Sequence, residues 1–157
     1  MIFIILGSQK FQFNRLLKYI DEFLESGEIR DKVFAQIGHS DYEPQKYPFE
    51  RFMSKNDFDQ KIYESSIIIT HAGTGSIISS IKKGKKVIAM PRLSKYGEHI
   101  DDHQKQIVSN FVNNKYILSA NDKSSLLDSI NLVRKFNFKQ FISNNNKYIE
   151  TIEDFLS

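Results

Sequence analysis

The residues best suited to chemistry form a short glycine-rich segment, His71-Ala72-Gly73-Thr74-Gly75-Ser76. It follows an apolar run, residues 67–70, and precedes a periodic stretch, residues 77–81, so the pattern predicts a strand, a tight turn and the start of a helix. Backbone N–H groups in the first helical turn lack partners within the helix, and glycines let an anion approach them closely. The hydroxyls of Thr74 and Ser76 add further donors. This segment therefore predicts a site for a phosphorylated ligand.

A second polar loop, residues 91–104, follows the next predicted strand. Its candidate ligand-binding side chains are Arg92, Glu98, Asp102, His103 and Gln104, and His99 stands in the same loop. Carboxylates and an amide bind ribose or sugar hydroxyls, and an arginine neutralises a phosphate. An acid at the start of a helix also favours the helix dipole without any ligand, so we expect one acid of this loop to be a cap only. Because ligands collect at the carboxyl ends of parallel strands, the two loops together favour a nucleotide-sugar site.

The histidines and glycines also have ordinary explanations. Any α/β domain needs tight strand-to-helix turns, and a single loop histidine is commonly just hydrogen-bonded, so both readings of His71 stay open. His99 and His103 stand four residues apart, as metal ligands on a helix do, but no further cluster completes a shell. We therefore expect no metal and no cofactor. The Gly7-Ser8 turn after the first predicted strand is a weaker candidate for substrate binding.

Two familiar phosphate motifs do not fit the chain. A P-loop needs G-x-x-x-x-G-K-[ST], and Gly84-Lys85 has neither the earlier glycine nor the following hydroxyl residue. A dinucleotide fingerprint needs G-x-G-x-x-G, usually after the first strand, where only Gly7 stands. Nucleotide hydrolysis at a P-loop and hydride transfer with a nicotinamide cofactor are therefore disfavoured.

Composition limits the class of protein. With 157 residues and 40% hydrophobic content, we expect one domain spanning residues 1–157. The net charge of +3 is small and spread out, so nucleic-acid binding is not indicated. The absence of cysteine excludes a disulfide framework and thiol catalysis. Since no apolar stretch approaches the roughly 20 residues of a membrane span, the sequence predicts a cytoplasmic protein.

Short apolar runs alternate with helical patterns along the chain. The predicted strands are residues 2–6, 33–37, a weaker 49–53, 67–70, 87–90 and 116–118. The predicted helices are residues 13–24 ended by Gly27, 57–64 capped by Asp57, 75–83, 101–113, one starting at Asn121 or Asp122, and a last one around 144–157. This alternation predicts an α/β fold, with a parallel sheet covered by helices on both faces.

Three motifs in a fixed order, residues 71–77, 84–92 and 96–104, resemble the C-terminal domain of glycosyltransferase family 28. More narrowly, they resemble small PssE/EpsF-type subunits of capsular and exopolysaccharide glycosyltransferases, and the small subunit of the eukaryotic two-component N-acetylglucosaminyltransferase. The resemblance covers nearly the whole chain. It implies a Rossmann-like domain that forms the C-terminal, donor-binding half of a GT-B glycosyltransferase and takes a UDP-sugar. Full-length family members have an N-terminal acceptor domain, so the resemblance also implies a membrane-associated PssD-type subunit that supplies the acceptor half.

The resemblance assigns roles to the candidate residues. The turn at residues 71–76 would hold the diphosphate and donor sugar, and the base would lie beside Phe52 and Met53. The ribose, sugar or phosphate contacts would be Glu98, Asp102, His103 and Gln104. The implied reaction is the inverting, metal-independent transfer of a hexose to a lipid-linked oligosaccharide. The general base would come from the partner, or failing that from His71 or His99.

Other functions stay open at this point. The chain is expected to be recruited to the membrane peripherally by its partner, and a homodimer of the isolated chain is open because the partner's docking surface would be bare. One alternative is a non-catalytic activator of a polysaccharide glycosyltransferase. Another is a free-standing sensor of a phosphorylated ligand. Binding of UDP separates the first alternative from a donor-binding subunit.

Overall fold

The computed structural model describes residues 1–98 and 103–141. The strands in this part are β1 Ile2–Ile5, β2 Val33–Gln36, β3 Phe49–Glu50, β4 Ile67–Thr70, β5 Lys86–Ala89 and β6 Leu118–Ser119. The helices are α1 Asn14–Ser26, α2 Lys55–Glu64, α3 Thr74–Lys82, α4 His103–Asn113 and α5 Lys123–Val133, with a single 3₁₀ turn at Ser94–Tyr96. The helix predicted around 144–157 lies outside the described residues. No helix within them is long and apolar enough to cross a bilayer.

The strands form one sheet in the order β3-β2-β1-β4-β5-β6, and every neighbouring pair is parallel. The predicted parallel sheet is therefore confirmed. The strand order reverses between β1 and β4, where Ile5 lies opposite Thr70. In open sheets of this kind, ligands bind in the crevice outside the carboxyl ends of the strands at the reversal point. The fold thus directs attention to the turns that follow β1 and β4.

Alternate residues of β1 contribute to two separate cores. Ile2 and Ile4 pack in the core that includes the buried residues of α1 and α5, whereas Phe3 and Ile5 pack in the core that includes those of α2, α3 and α4. The strands β1, β2 and β4 are buried along their whole length, as their predominantly apolar sequences predict. Each fully buried aliphatic or aromatic side chain contributes about 1.5–3 kcal/mol. Helices on both faces therefore hold the carboxyl-end turns on a rigid support.

The ends of the helices confirm some expectations and correct others. Gly27 ends α1 in the left-handed region at φ 79, as predicted. The last described helix, predicted to begin at Asn121 or Asp122, has Asp122 as its cap, which accepts from the Ser125 N–H. The prediction that Asp57 caps α2 is wrong. Ser54 is the cap, and its hydroxyl accepts from the Asp57 N–H at 3.2 Å. Asp57 instead lies in the first turn, where its charge favours the helix dipole.

A buried carboxylate holds the loop between β2 and β3 on α1. Asp21 accepts from the hydroxyl of Tyr42 at 2.5 Å and from the backbone N–H groups of Gln45 at 2.9 Å and Lys46 at 2.8 Å. The hydrogen bond to Asp21 and partial burial together raise the pKa of Tyr42 to about 12. The loop is therefore pinned by charge-assisted hydrogen bonds rather than by apolar packing alone.

Replacing Asp21 with asparagine is expected to destabilise the protein by about 2 kcal/mol, because the amide cannot reproduce the charge-assisted bonds to two backbone N–H groups and a hydroxyl. Urea denaturation followed by circular dichroism measures the change. The control is Glu25→Gln, since the carboxylate of Glu25 is exposed and pairs only with Lys46 in the described part of the chain. Equal urea midpoints for the two variants would show that Asp21 does not hold the loop.

Candidate functional site

The turns after β1 and β4 lie against each other at the reversal point of the sheet. The backbone N–H of His71 donates to the carbonyl of Ile5 at 3.2 Å, which extends the pairing of β1 with β4. The His71 imidazole is buried, and it lies between Gly7 and Gly73. A Cβ at Gly7 would be 2.7 Å from Nε2, and a Cβ at Gly73 would be 2.5 Å from Cε1. Both positions therefore require glycine while the imidazole occupies this place.

The backbone after His71 turns sharply into α3. Ala72 is buried at φ 74, a left-handed conformation that costs a non-glycine residue about 1 kcal/mol. Gly73 is the N-cap residue, and the first helical bond runs from the Ile77 N–H to the Gly73 carbonyl at 3.0 Å. The N–H groups of residues 74–76 consequently have no acceptor within the helix. Together with the positive end of the helix dipole, they form a suitable environment for an anion.

Buried polar atoms at this edge of the sheet add to the donors. Within residues 1–98 and 103–141, Thr70 Oγ1, Thr74 Oγ1 and Arg92 Nη1 are buried without a hydrogen-bond partner. Thr70 ends β4 and Thr74 begins α3, so their hydroxyls flank the His71 turn. An unsatisfied buried polar group costs about 1–3 kcal/mol. Thr74 is among the predicted site residues, whereas Thr70 is not.

A buried glutamine fixes the turn after β1. The Gly7 N–H donates to Gln36 Oε1 at 3.1 Å, and Gln36 Nε2 donates to the carbonyls of Gly7 at 3.1 Å and Arg51 at 2.6 Å. Gly7 is at φ 74, and Ser8 next to it is exposed. Gln36 is absent from the predicted site. The available signal is that a polar side chain interrupts the apolar run of residues 33–37.

Arg92 is buried against the same turn. Its Nη2 donates to the carbonyls of Leu6 at 2.9 Å and Phe11 at 3.0 Å, and its Nε donates to the carbonyl of Gln12 at 3.4 Å. Burial lowers the pKa of Arg92 to about 10, against the opposing effect of the nearby Glu98 carboxylate, so the guanidinium stays charged at neutral pH. These contacts support the turn. A phosphate contact by Arg92 stays a prediction.

Glu98 is buried as well, and both of its carboxylate oxygens have partners within the chain. Oε2 accepts from Arg15 Nε at 3.0 Å, and Oε1 accepts from Arg15 Nη2 at 3.0 Å and from the Leu93 N–H at 3.1 Å. Its predicted contact with ribose, sugar or phosphate stays a prediction. Arg15 is absent from the predicted site. Its position offers a signal, because a cation in the first turn of a helix opposes the helix dipole and the first turn of α1 contains no acid.

The remaining predicted residues are placed only in part. His103 and Gln104 begin α4, which follows β5 and therefore starts at the same edge of the sheet. His99 and Asp102 lie outside the described residues. Gly75 and Ser76 lie in the first turn of α3.

Phe52, with half of its surface exposed, packs edge-on against His39 after β3. In the described part of the chain, no three acidic or histidine side chains cluster as metal ligands.

Comparison with known proteins identifies the family. The model of the glycosyltransferase family 28 C-terminal domain matches residues 1–155. The UDP-N-acetylglucosamine transferase subunit ALG13 of Candida glabrata is 42% identical over 94 residues, which cover 59% of this chain and 44% of that protein. The match thus spans less than half the length of this curated relative.

Solved structures show the same fold. The solution structure of ALG13 has a TM-score of 0.63 at 22% identity, covering 99% of this chain and 96% of that one. The crystal structure of Acinetobacter baumannii MurG has a TM-score of 0.53 at 13% identity, covering 98% of this chain and 49% of that one. The calicheamicin glycosyltransferase CalG4 has a TM-score of 0.58 at 11% identity, covering 98% of this chain and 37% of that one. The predicted resemblance to the C-terminal half of GT-B enzymes is therefore confirmed at the level of fold, and the chain belongs to the family of glycosyltransferase family 28 C-terminal domains.

Proposed function

We propose that this chain is the donor-binding subunit of an inverting glycosyltransferase. It transfers a hexose from a UDP-sugar to a lipid-linked oligosaccharide in capsular or exopolysaccharide synthesis, together with a membrane-associated subunit of the PssD type that binds the acceptor and recruits this chain to the membrane. The proposal is supported by family membership and by the identity with a relative whose name describes it as a transferase subunit for UDP-N-acetylglucosamine.

The observation that carries the proposal is the convergence of donors at the reversal point of the sheet. The free N–H groups at the start of α3, the hydroxyls of Thr70 and Thr74, and the Gly7 turn all lie at the carboxyl ends of β1 and β4. A diphosphate placed there would accept from several of these groups at once. Glycine at position 75, where an added Cβ would meet nothing within 4 Å of the protein, leaves room for that approach.

The same arrangement suits the chemistry of inverting transfer. The acceptor hydroxyl attacks the anomeric carbon, the bond from that carbon to the UDP oxygen breaks, and negative charge grows on the departing diphosphate. Fixed N–H groups at the start of α3 stabilise this growing charge in the transition state without a metal ion. A general base removes the proton of the acceptor hydroxyl. Since the His71 imidazole is buried and packed against Gly7 and Gly73, we place this base on the partner subunit rather than on His71, and His99 stays the other candidate.

Thermal denaturation of the purified chain with millimolar UDP tests donor binding. We expect a rise in melting temperature with UDP, and a smaller one with ADP or inorganic phosphate at the same concentration, since ligand at about 100 times its Kd adds about 2.7 kcal/mol of stability. The second step assays the chain with and without a candidate acceptor subunit on UDP-glucose, UDP-galactose and UDP-glucuronate. Transfer is expected only with both subunits. Full activity of the lone chain would contradict a shared site, and no UDP shift with an active partner would favour the non-catalytic activator.

A further inference from the structure

We propose that Arg15 and Glu98 form a positioning pair, which orders the candidate donor site without contacting the donor. The pair fixes the loop of residues 91–98, after β5, onto the start of α1. This inference rests on the proposed function where it is measured through UDP binding. It assigns Glu98 a role different from the direct contact with ribose, sugar or phosphate that the family resemblance implies.

The geometry of the pair is that of a strong, directional contact. Two parallel bonds of 3.0 Å join the Arg15 guanidinium to the Glu98 carboxylate, and the side chains are 10% and 1% exposed. Bidentate pairs of this kind fix orientation as well as distance. The Leu93 N–H completes the set by donating to the same carboxylate at 3.1 Å, while the Glu98 N–H returns to the Leu93 carbonyl at 3.3 Å. The carboxylate therefore presents almost no surface to a ligand.

Arg15 joins three loops at the carboxyl edge of the sheet. It belongs to α1, which follows the turn after β1, and it binds Glu98 in the loop after β5. Its Nη1 also donates to the carbonyl of Asn121 at 2.9 Å, in the loop after β6. Its guanidinium lies 4.5 Å from the centre of the Tyr96 ring, which adds a cation–π contact to the same loop. The Arg15 side chain thus fixes the distances between the loops that follow β1, β5 and β6.

A second anchor links this loop to the turn after β1, which carries Gly7 and packs against His71. Arg92, in the same 91–98 loop, binds the carbonyls of Leu6 and Phe11, on either side of Gly7. Gln12 Nε2 donates back to the carbonyls of Tyr96 at 3.2 Å and Gly97 at 3.4 Å. Because the loop is tied to the turn on both sides, a displacement at Glu98 moves the turn that packs against His71. The pair therefore acts on the donor site through the protein.

A double-mutant cycle distinguishes positioning from direct contact. The variants are Arg15→Met, Glu98→Gln and the double variant, and the measurement is UDP affinity by calorimetric titration. We expect each single change to weaken UDP binding by about tenfold and the double variant to bind no more weakly than the worse single one, since either change alone breaks the same pair. Losses that multiply in the double variant would show that Arg15 or Glu98 contacts the ligand independently. Unchanged affinity in both single variants would also overturn the proposal.

The control is Arg134→Met, which removes an ion pair with Asp31 at the opposite edge of the sheet. It is expected to leave UDP affinity unchanged. If the unaltered chain binds no UDP, the proposed function fails, and hydrogen exchange of the ligand-free protein then decides on the pair. Amides of residues 91–98 are expected to exchange faster in Arg15→Met than in the unaltered chain or in Arg134→Met. Equal exchange in all three would overturn the positioning role. If Glu98→Gln does not fold, the double-mutant cycle cannot be completed, and this comparison of hydrogen exchange decides instead.

Discussion

Replacing Gly73 with alanine is expected to destabilise the protein by about 1–3 kcal/mol and to abolish UDP binding, because an added methyl group overpacks a closed site. The new Cβ would lie 2.5 Å from His71 Cε1 and 2.8 Å from Nε2. The backbone itself accepts alanine, since Gly73 is at φ −70, so the clash with the imidazole is the cause. The imidazole is also packed against the other turn, since a Cβ at Gly7 would lie 2.7 Å from Nε2. Urea denaturation and the thermal shift with UDP measure the two effects.

Two variants control this expectation. Gly75→Ala places its methyl group where nothing lies within 4 Å, and alanine in a helix is favoured over glycine by about 0.5–1 kcal/mol, so this variant should be at least as stable as the unaltered chain. Removing the imidazole in the double variant His71→Ala and Gly73→Ala should restore part of the stability that Gly73→Ala loses. If Gly73→Ala and Gly75→Ala unfold at the same urea concentration, the imidazole does not control the spacing of the two turns.

The sheet is predictable from sequence because a strand that is buried on both faces needs apolar residues along most of its length. A strand such as residues 67–70 is a continuous apolar run, and its observed bounds are those the pattern predicts. The last strand shows the limit of this signal. Tyr116 and Ile117 are buried and apolar, yet the strand begins only at Leu118, since burial does not reveal which residues pair with β5. Hydrophobic pattern therefore predicts which segments enter the core better than it predicts where pairing starts.

The candidate site is predictable only where its determinants are local. The turn at residues 71–76 combines glycines, hydroxyls and a strand-to-helix boundary within six positions, so its structure follows from neighbouring residues. Arg15 and Glu98 meet across 83 positions of the chain, and Gln36 meets Gly7 across 29. No spacing rule connects such residues. The sequence also does not show which way a polar side chain points in a loop at the strand ends. Sequence alone therefore does not separate a residue that contacts a ligand from one that supports the loop internally, such as Arg92.

Replacing Arg92 with methionine is expected to cost about 3 kcal/mol or more and to prevent UDP binding. Methionine keeps much of the length and apolar volume, but it leaves the buried carbonyl of Leu6 and the partly buried carbonyl of Phe11 without this donor and removes the positive charge near Glu98. Urea denaturation and UDP titration measure the change.

Arg51→Met provides the matched control for the Arg92 variant. The Arg51 guanidinium also donates to backbone carbonyls, of Ser40 at 2.8 Å and Gly38 at 3.4 Å, but its side chain is 42% exposed, so water can occupy the place that the guanidinium leaves. Its loss is therefore expected to cost less than about 1 kcal/mol. The contrast isolates burial of the guanidinium, because both arginines donate to backbone carbonyls and only the Arg92 side chain is itself buried. Equal destabilisation by the two substitutions would mean that the turn carrying Gly7 keeps its place without Arg92, and that packing of His71 between the two glycines is enough to hold it.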